Sequence, residues 1–80
     1  MNGHPIKLKD LHIEEQATIV GYENNDEVAL HRLLTLGLTK NATVVLKQIA
    51  PLGDPVKVGV RGFDLSLRKD EADSLILMKL

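Results

Sequence analysis

The sequence predicts a mainly β domain with one α-helix inserted after the first strand. Short aliphatic runs that alternate apolar with polar residues point to strands, and Gly, Pro, Asn and Asp separate them. A single stretch changes to the helical period and is stopped by a glycine. Eighty residues leave room for one domain and one core.

Residues 1–7 carry Gly3 and Pro5 and are expected to form a flexible arm, leaving 8–80 as the folded domain. Leu8-Lys9-Asp10-Leu11 suits one helical turn with both leucines on the same side. Gln16 to Tyr22 reads as the first strand, with Ala17 and Ile19 on one face and Thr18 and Val20 on the other. Asn24 and Glu27 have the spacing of a capping box. In the helix that follows, Ala29, Leu30, Leu33 and Leu34 make the inward stripe, while His31, Arg32 and Thr35 face away. Gly37 is placed to end that helix in a left-handed conformation, and Leu38 to fold back on Leu33.

Thr43 to Ala50 is the second strand, and Pro51 breaks its pairing. In the turn that follows, Gly53 supplies positive φ and Asp54 is expected to bond turn amides before Pro55. Val56, Val58 and Val60 alternate with Lys57, Gly59 and Arg61. After a tight turn at Gly62, Phe63, Leu65 and Leu67 alternate with Asp64, Ser66 and Arg68. A helical turn over Lys69 to Asp73 and a last strand from Leu75 to Met78 complete the chain. Five short antiparallel strands with tight connections bury a common face best by curling, so the architecture expected is a small SH3-like five-stranded barrel.

Composition removes several function classes. The formal charge is −1 with no basic cluster, and Tyr22 and Phe63 are the only aromatics, so nucleic acid is not an expected partner. The absence of cysteine rules out disulfides, thiolate metal sites and cysteine nucleophiles. No apolar run approaches the roughly 20 residues that cross a bilayer, so direct membrane insertion is not expected. Met1 to Asp10 lack the apolar core of a signal peptide, which makes the cytoplasm the expected location.

His4, His12 and His31 share no ligand spacing and read as surface histidines, so no metal site is assigned. Glu14-Glu15 and Asp26-Glu27 lack the alternation of a calcium loop, and the second pair suits a helix N-terminus. Ser66 and Ser74 have no histidine close in sequence, and the glycines form no phosphate-binding motif. Neither an enzyme nor a cofactor is expected. The turn Pro51 to Pro55 fits any tight connection, but it also carries Leu52, an apolar tip on a stiff loop. A stiff loop loses little entropy on binding, so Leu52, Gly53 and Asp54 are candidate contacts with another protein. Arg32 and Arg68 are the candidate polar rim.

Leu8 and Leu11, Ala17 and Ile19, the block from Arg32-Leu33-Leu34 to Gly37-Leu38, the Ala50 to Pro55 turn, and Leu67-Arg68-Lys69 followed by Ala72 together resemble the FeoA family. The resemblance runs from about Leu8 to Leu77. It implies a cytosolic SH3-like domain that accompanies FeoB, the inner-membrane ferrous iron transporter with a cytoplasmic GTP-binding domain. The role implied is accessory: contact with the cytoplasmic region of FeoB, bringing the protein to the inner membrane through its partner. The family's Pro-Gly turns before the first and second strands are replaced here by Ile13-Glu14 and Lys40-Asn41. Asn41 tolerates left-handed backbone, whereas the turn at Glu14 is expected to take another geometry. Similar domains end metal-dependent repressors, so a free-standing regulatory module that binds a protein segment is the alternative reading. A small metal carrier is a third. Aliphatic edge strands also make self-association an expectation.

Overall fold

Alternating side chains put one face of each strand inside, and the sheet wraps around that face. The computed structural model describes residues 4–23 and 26–80. It contains β1 (Gln16–Tyr22), α1 (Glu27–Thr35), β2 (Thr43–Ile49), β3 (Val56–Val60), β4 (Phe63–Leu67), α2 (Lys69–Asp73) and β5 (Leu75–Lys79). The strands form one antiparallel sheet in the order β4-β3-β2-β1-β5. Register shifts between Ile19 and Gly21 and between Leu46 and Gln48 bend β1 and β2, which lets so short a sheet curl into the SH3-like barrel. Ala17, Ile19, Val44, Leu46, Val58 and Leu77 are almost fully buried in its interior. The 3-10 turn Leu8–Asp10 adds Leu8 and Leu11 to the same core.

Of the residues expected as an arm, Ile6 pairs with Leu77: its N–H donates to the Leu77 carbonyl at 2.8 Å and its carbonyl accepts in return at 2.9 Å. Lys7 Nζ reaches the Glu23 carboxylate at 2.7 Å and the Asp73 carbonyl at 2.8 Å.

Helix α1 is capped by Asp26, whose Oδ1 accepts from the Val28 N–H at 3.0 Å. Asn24, expected as the cap, lies outside the described residues. The C-terminus follows expectation. Gly37 has φ 94°, its N–H donates to Leu34, and the Leu38 N–H donates to Leu33 at 3.0 Å. Leu33 and Leu38 are both buried, which supplies the apolar contact of a Schellman ending. The inward stripe differs from the one expected. Leu34 is exposed, and Leu36 packs against the core instead. With Leu33 facing inward, Leu34 lies about 100° round the helix, whereas Leu36 returns to the buried side.

The turn at Glu14 also departs from expectation. Glu14 adopts φ 73°, nearly the 74° of Asn41, so both turns share a left-handed residue despite their different side chains. The ladder explains this: the Glu14 N–H donates to Leu46 at 2.6 Å and the Leu46 N–H donates to Glu15 at 3.1 Å. These bonds hold a conformation that costs a non-glycine residue about 1 kcal/mol.

Arg61 and Gly62, at φ 52° and 89°, make the two-residue turn between β3 and β4. Phe63, read from its alternation as inward, is half exposed because it begins β4 at the end of the sheet. Gly59 was expected on the wet face and is buried. The Lys47 stem crosses it so closely that a Cβ there would stand 3.0 Å from Cε.

Candidate protein-docking surface

The connection from β2 to β3 is held by its own backbone. The Gly53 N–H donates to Ala50 at 2.7 Å and the Ala50 N–H to Pro55 at 3.1 Å, with Gly53 at φ 83°. The Asp54–Pro55 peptide bond is cis. Asp54 does not bond turn amides, as the sequence suggested. Its Oδ1 accepts from the Lys69 N–H at 3.0 Å, the first amide of α2, which has no partner within its own helix. The loop is therefore pinned to α2 while its apolar tip projects outward: Leu52 is 92% exposed.

Beside this tip lies a small cavity of about 70 Å³. Leu8, Ile49, Val56 and Ala72 line it, together with Lys9, Lys69 and Asp73. Ile49 is itself 38% exposed and continues the apolar surface toward the loop.

The other two candidate residues meet at Glu71. Its Oε1 accepts from the Arg68 N–H at 2.9 Å and its Oε2 from Arg32 Nε. Burial pushes the Glu71 carboxyl upward, but the Arg68 amide and the Arg32 guanidinium outweigh it and hold the group below its ordinary range. Leu52, Gly53, Asp54 and Arg68 thus gather at the start of α2, and Arg32 is tied to the same helix from α1. Sequence reasoning missed Lys69 and Glu71 as the residues that join them. One signal was available, because an acid three residues after a helix start commonly bonds the first free amide.

A larger groove of about 310 Å³ crosses the outer face of β2, β3 and β4 near Phe63. Its basic groups are already engaged: Lys47 with Glu14 at 3.5 Å, and Arg61 with Gly37 and Thr39. Among the described residues, no three His, Asp or Glu side chains gather as a metal site. The Ser74 hydroxyl donates to the Glu71 carbonyl at 2.7 Å. The α2 end therefore has a rigid apolar projection beside a small apolar cavity, with Arg68 and the Arg32–Glu71 pair as its polar neighbours.

Comparison with known proteins shows the family and the fold. The FeoA domain model matches residues 6–79. Over 67 residues the chain is 36% identical to an Fe(2+) transport protein A/Fe(2+) transporter FeoB fusion protein of Porphyromonas gingivalis. That match covers 84% of this chain and 8% of the fusion protein. The FeoA protein of Chlorobium tepidum is 32% identical with a TM-score of 0.81, over 94% of this chain and 70% of that one. FeoA of Stenotrophomonas maltophilia, complexed with zinc and described as a prokaryotic SH3 domain protein, is 24% identical. Its TM-score is 0.76 over 91% of this chain and 89% of that one, a likeness of fold. A manganese-dependent transcriptional repressor shares the fold alone, at 12% identity and a TM-score of 0.88, over all of this chain and 39% of that one. With the family model spanning nearly every residue, this chain belongs to the FeoA domain family.

Proposed function

We propose that this protein is an accessory component of ferrous iron uptake that binds the cytoplasmic region of a FeoB-type transporter. The observation that carries this reading is the relative in which a homologous unit and the transporter share one chain. Such fusion keeps two units at high local concentration, which benefits units that touch. No helix of the described residues is long and apolar enough to cross a membrane, in keeping with a role beside the transporter. Leu52 is the anchor of the contact, Gly53 and Asp54 hold its loop, and Arg32 and Arg68 form the border.

The test is a titration of the protein against the cytoplasmic region of FeoB, with and without guanine nucleotide. Saturable binding that Leu52→Ala weakens about tenfold, or about 1.4 kcal/mol, is the expected result. Loss of binding in every nucleotide state would overturn it. The alternative, a free-standing regulatory module, draws on the shared fold of the manganese-dependent repressor. In that case the chain would bind a repressor segment and leave FeoB alone.

A further inference from the structure

β4 is the outermost strand of the sheet, and among the described residues it pairs only with β3. The two-residue turn closes on Val60 and Phe63, so Phe63, Leu65 and Leu67 exchange ladder hydrogen bonds with β3. The N–H and C=O groups of Asp64 and Ser66 therefore point off the open edge. Neither residue has a hydrogen-bond partner there or on its side chain among the described residues. An edge with four open backbone groups is a template for another strand.

We infer that β4 pairs antiparallel with β4 of a second copy, about a two-fold axis at Leu65. Open groups meet open groups in few registers. With Leu65 opposite Leu65, Asp64 of each copy faces Ser66 of the other, and all four open groups on each side find partners. Sliding two residues one way sets Asp64 against Asp64, like charges directly opposed. Sliding two residues the other way requires Arg68, whose N–H already donates to Glu71 and whose carbonyl accepts from Ala72. A one-residue slip sets open groups against closed ones.

The remaining register is also complementary in its side chains. Each Ser66 hydroxyl donates to the Asp64 carboxylate opposite, a charge-assisted bond. On the two diagonals, Asp64 meets Arg68 and Asp64 of the second copy, charges of opposite sign whose effects offset. Phe63, 52% exposed, stands opposite Leu67, whose side chain is already buried in its own core, so the complementarity rests on the polar face. Five-residue strands bury less than the roughly 1,200 Å² of a standard interface, so the dimer is weak and concentration-dependent.

Sedimentation equilibrium of the full chain, from about 10 μM to about 1 mM in about 0.15 M salt, tests this. The wild type should pass from monomer to dimer across that range. Ser66→Pro removes an outward N–H without touching the β3 ladder, and should weaken dimerisation at least about tenfold. If that variant fails to fold, a charge pair decides instead. Ser66→Asp opposes Asp64 and should weaken the dimer, whereas Ser66→Lys attracts it and should tighten the dimer. A wild type still monomeric at about 1 mM would overturn the inference. So would a dimer indifferent to both charge changes. A monomer whose Ser66→Asp variant loses an extended FeoB segment would also overturn it, assigning the edge to the transporter.

Discussion

The two ends of β3 are held by the same electrostatic device and put to different uses. At its start, Asp54 on the Ala50–Pro55 loop accepts from the first amide of α2. At its finish, Arg61 of the β3–β4 turn donates through Nε to the Gly37 carbonyl at 3.3 Å and through Nη2 to Thr39 at 2.7 Å, beside the C-terminus of α1. Each pairs a charge with a helix end of suitable sign. The difference lies in what remains exposed. Arg61 turns its own side chain back onto the protein, so the turn is a brace. Asp54 secures its loop from behind, which leaves Leu52 projecting into solvent. A rigid anchor can thus either close a surface or present one.

Substitutions can break this parallel. Asp54→Ala should have the largest effect, removing the partner of the α2 amide and costing about 1 kcal/mol in denaturant unfolding. It should also weaken FeoB binding, because Leu52 loses its support. Arg61→Ala should cost about 0.5–1 kcal/mol and leave that binding unchanged. Equal losses of binding in the two variants would remove the distinction between brace and display.

Glu71 gives the smallest effect and sharpens the comparison through pH. Its carboxyl is held below the ordinary value of 4.5, so the folded state binds that proton less readily than the unfolded state does. The stability it contributes is complete above the ordinary value and is lost as pH falls through the lowered one. Since Arg32 is about half exposed, solvent screening limits the contribution to about 0.5 kcal/mol. Unfolding curves from neutral to acid pH should show Glu71→Gln flattening part of the acid-side loss. An unchanged slope would remove Glu71 as the link between Arg32 and α2.

Much of the fold was legible because it rests on near neighbours. Gly37 and Leu38 announce the helix end, since left-handed backbone and a six-residue hydrogen bond are local. Leu52 could be read as an exposed tip from the prolines around it. Other features could not be read this way. The partner of Asp54 lies 15 residues away, and that of Arg32 39 residues away. Glu14 was misread because the bond from its N–H to Leu46, with the return bond from Leu46 to Glu15, outweighs its intrinsic preference.

The sequence by itself determined which segments become strands and helices and in what order, and which family the chain belongs to. Those properties follow from side-chain period, glycine and proline, all of which act within a few residues. Only the tertiary structure decided which charges meet at α2, which of Leu34 and Leu36 is buried, and which strand edge stays open. Each depends on contacts across the folded barrel, where distance in space is no longer tied to distance along the chain.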